Sequence, residues 1–418
     1  MGKQTDLIEG NIFKALLVFA VPLLIGNLFQ QLYNTADSYV VGNFVDTNAL
    51  AAVGASASVI QMLVGFFMGL SVGAGVVIAQ YFGAGQKEKM SQAVHSALAL
   101  TVLLSALFTV AGIALTRPLL RAIGVPQEVL PHSTLYLTIY FAGITFLLFY
   151  NMGSGILRAI GNSRDPLIYL AVASVLNVIL DVLLVCVARL GVAGVALGTM
   201  IAQAVSAYLV MRQLIRTSEA YRVELKKIRF HREMIRQILM VGLPAALQQS
   251  ITAFSNVVVQ SYINSFGTAA IAGYSTTIRI DGFLQLVLQS FNMTITTFVG
   301  QNIGARKTER VKQGIFIAWV MCSAIILAGS VWMNREGALL VSLFTDDAAV
   351  ITNGAAMLKM FSYAYWSLPV VQILSGALRG AGKSSIPMFF MLSCFVVIRQ
   401  IYLAITVPMT HNLLVVIA

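Results

Sequence analysis

Asn177 and Asp181 stand four residues apart in "SVLNVILDVLLV" (174–185), a run that is otherwise apolar. At helical spacing i and i+4 they share one face, so an amide and a carboxylate point the same way. A second acid, Asp37, interrupts "PLLIGNLFQQLYNTADSYVVG" (22–42). The chemistry open to such groups is cation binding: a carboxylate takes up a proton, and carboxylate, amide and hydroxyl oxygens together suit a hard metal ion.

The elements that must position these groups are membrane helices. With 58% apolar and 10% charged residues and a mean hydropathy of +0.84, the chain has too little polar surface to cover a soluble globule of its length. A transmembrane barrel would read as segments of about 10 alternating residues. Apolar runs of about 20 or more recur instead, which is the length a helix needs to cross the hydrocarbon. They fall at 14–41, 49–80, 92–116, 128–157, 166–188, 192–212, 236–263, 269–299, 313–333, 350–378 and 386–408. The first is far longer than a signal-peptide core and has no small-residue cleavage site, so it is read as a span. The reading is an all-α integral membrane protein with eleven spans.

Lys and Arg orient it. An amino terminus on the cytoplasmic side puts 20 of the 27 Lys and Arg residues in cytoplasmic segments, eight of them in 212–236. That excess is the positive-inside pattern of a multi-pass cell-membrane protein. The net charge of +11 sits in short loops rather than on one basic face, so anionic lipid is the expected partner and nucleic acid is not. Cys186, Cys322 and Cys394 lie within spans without paired or metal-like spacing, and neither a disulfide nor a metal cluster is expected.

The chain repeats itself. Pro22 aligns with Pro244, "QYFGAGQK" (80–87) with "QNIGARKT" (301–308), and "GILRAIGNSRDP" (155–166) with "GALRGAGKSSIP" (376–387). Two halves of like orientation follow, as in transporters whose repeats are related by an axis along the membrane normal. The expected division is a six-helix bundle over 1–211, a basic cytoplasmic linker over 212–236 and a second bundle over 237–418, with a cavity between the bundles. Leu197 maps to Ala418, so the partner of the sixth helix is expected beyond this sequence, as a missing twelfth span, with a genuine eleven-span protein as the alternative.

Depth brings the polar residues together. Asp37 lies seven residues before Phe44, Asp181 seven before Ala188, and Thr199 seven after Val192. At 1.5 Å per residue each is about 10 Å inside the outer boundary. Asn177 is one turn deeper, and Asn34 and Asn151 are further candidates, the latter nearer the cytoplasmic end. In the second half the positions of Asp37, Asn177 and Asp181 hold Val259, Ile398 and Tyr402. What one half alone carries reads as function. A charge at the bilayer centre costs at least about 2.5–3.5 kcal/mol, so intramembrane acids are functional by default. An isolated Asn or Thr more commonly bridges helices. Asp281 and Arg279 form a second tier, read equally as an ion pair with another helix or as a substrate contact; for Arg399 a structural role leads. Lys359 is expected to reach a membrane end.

The twice-six arrangement, the 22–42 helix, the "LRAIGNSRDP" and "LRGAGKSSIP" loops and the basic linker resemble the multidrug and toxic compound extrusion (MATE) family, over essentially the whole chain and with prokaryotic members most alike. The resemblance implies secondary active efflux of amphipathic or cationic compounds in exchange for H+ or Na+ by alternating access. It implies a monomer in the bacterial inner membrane with no cofactor beyond the coupling ion. Asp37, Asn177, Asp181 and Thr199 match the residues that bind the coupling cation or proton, with Asn151 a neighbour. If the ion is Na+, the first four are its ligands. Pro22 interrupts a backbone hydrogen bond within the first span; the alternatives are a static bend and a bend that responds to ligation of Asp37.

Two other readings are disfavoured. "ALRGAGKS" (377–384) approaches a phosphate-binding loop, but Ala377 replaces the first glycine and no strand precedes it. His95, His132, His231 and His411 lack ligand spacing, and no nucleophile elbow occurs, so an enzyme is not expected. A lipid-linked saccharide flippase is the alternative transporter. It would line its cavity with several cations for a pyrophosphate, and only Arg279, Arg399 and Lys359 are available.

Overall fold

The computed structural model describes residues 5–45, 47–410 and 416, with the side chains of some residues inside α1, α2, α7 and α13, among them Asn34, outside the described set. Among the described residues thirteen α-helices run in the order α1 (Ile12–Phe44), α2 (Thr47–Gly83), α3 (Lys87–Ala122), α4 (Leu130–Ala159), α5 (Arg164–Asp181), α6 (Val192–Arg216), α7 (Arg232–Asn264), α8 (Thr268–Gly304), α9 (Thr308–Ser342), α10 (Ala348–Ala364), α11 (Leu368–Gly380), α12 (Ser385–Leu392) and α13 (Arg399–Thr410). Eight stretches among the described residues are long and apolar enough to cross a membrane. The expected 350–378 span is two helices, α10 and α11, separated at Tyr365–Ser367 with Pro369 opening the second. Pro has no N–H to lose at a first helical turn, which suits it to restart a helix there. π-helical turns follow α5 at Val182–Val187 and α12 at Ser393–Ile398.

The repeat is written in the backbone as well as in the sequence. Gly161 and Gly382, equivalent by the 221-residue offset, both adopt positive φ, at 90° and 79°. Gly85 at φ 67° is matched by Arg306 at φ 58°. An arginine in the left-handed region is disfavoured, yet the turn persists because Lys307 N–H donates to Asn302 O at 2.8 Å, as Gln86 N–H donates to Tyr81 O at 3.0 Å. The tight turn is kept by its hydrogen bond where the sequence no longer supplies glycine.

The cores do not divide at the linker. Leu16, Phe19 and Leu23 of α1, with Leu7 before it, are buried among α8, α9, α10 and α11. Reciprocally, Met234 and Ile238 of α7 are buried with α2, α3, α4 and α6. Each half therefore lends the start of its first helix to the other. Small residues make the crossing possible: a Cβ on Gly69 or Gly73 of α2 would run into the backbone of Ala246 or Gly242 of α7, the close approach that small residues at four-residue spacing allow between membrane helices.

At the end of the bundle that carries the basic loops, the segment before α1 lies across both halves. Thr5 N–H donates to Gly161 O at 3.0 Å in the α4–α5 turn. Arg310 of α9 donates to Leu7 O, Glu9 O and Gly10 O, Asn302 to Leu7 O, and Lys307 to Ile8 O. The linker is pinned nearby: Glu224 N–H donates to His95 Nε2 at 3.0 Å, which leaves His95 Nδ1–H to donate to Ser91 O at 2.7 Å.

Candidate cation-coupling site

Three helices of the first half bring the predicted polar residues to one place. Asp37 comes from α1, Asn177 and Asp181 from α5, and Thr199 from α6. All four are buried, Asp181 completely. The carboxyl of Asp37 has Asp181, Thr199 and Asn177 as its polar neighbours, and Asn177 Nδ2 donates to Thr199 Oγ1 at 3.5 Å. Proximity does not become saturation: among the described residues no donor reaches Asp37 Oδ1, Asn177 Oδ1 or either Asp181 carboxylate oxygen, and all are buried. None of the described ion pairs touches either acid. Two adjacent carboxylates out of water demand a positive charge, as bound proton or as metal ion. The oxygens present fit either. Carboxylate, amide and hydroxyl oxygens are the donors that a hard cation takes, and no cluster of three His, Cys, Asp or Glu side chains suited to a softer metal occurs among the described residues.

The local fold explains how Asp181 reaches the cluster. It is the last α-helical residue before the π turn at Val182–Val187, and such turns recur at functional sites. Opposite it, α6 presents Gly198, where a Cβ would stand 2.5 Å from Asp181 Oδ1. The missing side chain is what lets the carboxylate lie against α6.

Tyrosines wall the site. Tyr33, one turn before Asp37, lies beside Gln203 and near both acids, and Tyr136 of α4 is within electrostatic range of both. A small cavity of about 10 Å³, room for about one water, adjoins Tyr33 and is lined by Ser174, Asn177, Thr199 and Gln203 as well. Gly198, Tyr33, Tyr136 and Gln203 were not singled out from sequence. Gln203 lies four residues after Thr199 on one helical face, a spacing that pointed to it; the tyrosines carry no comparable signal.

Asn151 is not brought to the carboxylates. Its Nδ2 donates to Leu147 O at 2.9 Å on its own helix, and its backbone carbonyl accepts from Ser71 Oγ at 2.8 Å. One amide N–H is thus taken up by the preceding turn of α4. Asn34 lies on α1, but its side chain is outside the described residues.

The second tier separates. Asp281 of α8 accepts a hydrogen bond from Tyr365 Oη, and no described ion pair joins it to the exposed Arg279. Arg399 donates to Ser255 Oγ at 3.4 Å and Asn256 Oδ1 at 3.3 Å and stacks 5.6 Å from the Phe395 ring, contacts that hold α7 against the last helices. Pro22 sits inside α1 without ending it. The sequence-equivalent residues of the second half do not form a matching site: Val259 is buried, Ile398 is 62% exposed and Tyr402 is 36% exposed.

Asp165, at the start of α5, is the instructive contrast. It is 5% exposed, and its carboxylate accepts from Asn162 Nδ2 at 2.8 Å and from Gln213 Nε2. A buried acid that serves architecture is saturated by neighbouring donors; Asp181 is not.

Comparison with known proteins bears on the fold that carries these residues. The MatE family model matches residues 22–183 and 244–405, two copies in the register of the repeat. The chain is 29% identical over 408 residues to YpnP of Bacillus subtilis (strain 168), a probable multidrug resistance protein, covering 96% of this chain and 90% of that one. It is 24% identical over 375 residues to the multidrug export protein MepA of Staphylococcus aureus (strain N315), covering 90% and 83%. Among solved structures, a multidrug resistance MATE family transporter in an outward-facing conformation superposes with a TM-score of 0.92 at 24% identity, over 100% of this chain and 94% of that one. A MATE protein in a bent conformation superposes with a TM-score of 0.93 at 24% identity, over 100% and 93%. With its fold and both repeats matched over most of its length, the chain belongs to the MATE family.

Proposed function

We propose that the protein is a secondary antiporter that exports amphipathic or cationic organic compounds in exchange for H+ or Na+. The observation that carries this reading is the set of buried oxygens on Asp37, Asn177 and Asp181 that no donor reaches among the described residues. An entering cation neutralises the pair and draws α1 and α5 together; its release reopens the site. Relatives named for multidrug resistance and export support small organic molecules as cargo. The basic end of the bundle is the cytoplasmic end, by the positive-inside rule.

Pro22 gives the loaded site a route to the rest of the molecule. The part of α1 up to Leu23 is buried with α8–α11 of the second half, whereas Gly26 already faces Leu167 and Leu170 of α5. Within a turn of its one proline, where its backbone hydrogen bonding is weakest, the helix gains α5 as a neighbour, while Asn27 Nδ2 still donates to Ser290 Oγ of α8 at 3.2 Å. Asp37 lies fifteen residues beyond Pro22, about 22 Å along the helix. Bending between Pro22 and Asp37, with release of the Asn27–Ser290 bond, lets the Asp37 segment move with α5 while the first turns stay with the second half.

The test is efflux of a fluorescent organic cation from proteoliposomes carrying the full chain, under a pH gradient alone and then a Na+ gradient alone. Acceleration by one or both is expected, and acceleration by neither contradicts antiport. Movement of a labelled lipid-linked sugar without movement of the cation would favour the flippase instead.

A further inference from the structure

We propose that Gln80 and Gln301 are a symmetric pair of gate latches, each reaching from one half to the other to hold the basic end of the inter-half cavity shut. Gln80 of α2 donates from Nε2 to Gly380 O at the end of α11, at 2.9 Å. Gln301 of α8 donates from Nε2 to Ala159 O at the end of α4, at 2.7 Å. The two bonds are images of one another: Gln301 is Gln80 displaced by 221 residues, and Gly380 is Ala159 displaced by the same number. The contacts around them obey the same symmetry. A Cβ on Gly83 would strike Gln301 O, and a Cβ on Gly304, again 221 residues on, would strike Gln80 O.

Three features make this a latch rather than ordinary packing. Both donors cross between halves, so both bonds must break if the halves part at this end. Both acceptors are carbonyls at the last turn of a helix, groups without an intrahelical partner, so each glutamine satisfies an otherwise orphaned acceptor only in the closed arrangement. Finally, the pair closes over a space. A small cavity of about 40 Å³ lies between the halves, lined by Ser71, Gly75, Arg158, Asn292, Thr296 and Thr297 among others. Thr297 is four residues, about 6 Å, inside Gln301 along α8. Breaking the latches opens this cavity to the side that carries the basic loops. Paired equivalent bonds also divide the cost of opening equally between the halves, as a rocking motion about a pseudo-twofold axis requires.

The inference rests on the antiport reading for its place in a cycle, but its test uses neither gradient nor cargo, so the two fail separately. The probe is a membrane-impermeant maleimide reacting with Thr297→Cys in the full chain after Cys186, Cys322 and Cys394 are replaced by alanine. Labelling is followed separately from the two faces of oriented vesicles. Gln80→Ala and Gln301→Ala are each expected to raise labelling from the basic face about fivefold, the worth of one net hydrogen bond, and the double variant by roughly the product. Gln80→Glu and Gln301→Glu keep the shape without the donor. They are expected to behave as the alanines do at neutral pH and to return toward the parent rate in acid, where a protonated carboxyl donates again. Unchanged labelling in the Glu variants, an effect at only one of the two positions, or equal gains from both faces would overturn the proposal.

Discussion

Gly198 of α6 lies flat against the carboxylate of Asp181, leaving no room for a Cβ beside Oδ1. Gly198→Ala must therefore displace the acid or push α6 away, at a cost of about 1–3 kcal/mol. Ion-driven efflux is expected to fall more than protein level does. Efflux per molecule equal to the parent's would show that Asp181 need not touch α6.

Asp165 tests whether saturation distinguishes an architectural acid from a coupling acid. Asp165→Ala leaves Asn162 and Gln213 without their acceptor, which costs about 1–3 kcal/mol per stranded group. The variant is expected to melt at a lower temperature while its efflux per folded molecule and its response to the driving ion stay near the parent's. Loss of ion dependence without loss of stability would reverse the two roles.

The crossing of α2 and α7 depends on small residues. Gly73→Ala puts a methyl into the backbone of Gly242, whereas Gly282→Ala meets nothing within 4 Å. The first is expected to destabilise the protein by about 1–3 kcal/mol, and the second to be neutral or slightly stabilising through its better helix propensity. Thermal unfolding of both in one detergent or nanodisc decides it.

The linker has a pH dependence of its own. Burial, Arg229 and His95 hold the His231 imidazole below its ordinary 6.5. Its Nε2 accepts from Arg229 Nε at 3.2 Å and its Nδ1 lies 3.1 Å from Ser96 Oγ, an arrangement for the neutral ring. A base with a depressed folded pKa binds more protons unfolded, so this contribution is present above pH 6.5 and is lost as pH falls below it. Protection factors across residues 217–231, the exchange rates corrected for the intrinsic pH dependence, are expected to fall from pH 7.5 to 5.5, and His231→Gln to flatten that fall. An identical pH profile in the variant would remove His231 from the account.

Much of the site was legible in the sequence because a membrane makes acids conspicuous. Helix spacing fixed the shared face of Asn177 and Asp181, and counting from span ends fixed their common depth with Asp37 and Thr199. Depth says nothing of azimuth, and there the reading fell short. Asn151 had an alternative partner in the carbonyl one turn back on its own helix, which spacing cannot weigh against a distant carboxylate. Gly198 acts by absence of atoms and the π turn after Asp181 by backbone geometry, so neither leaves a compositional mark. The repeat foretold two like halves. It did not foretell that each lends its first turns to the other, because exchanged and unexchanged arrangements bury the same apolar faces.

The central claim is that Asp37 and Asp181 together take up the coupling cation. Asp37→Asn and Asp181→Asn keep the size of each side chain and remove its charge, and the double variant removes both. Efflux of a fluorescent organic cation from proteoliposomes, under whichever gradient drives the parent, tests it most directly, with chromatography confirming that each variant is folded. Each single variant is predicted to lose gradient-driven efflux, down to the rate of protein-free vesicles. Parent-like, ion-stimulated efflux in the double variant would contradict the account.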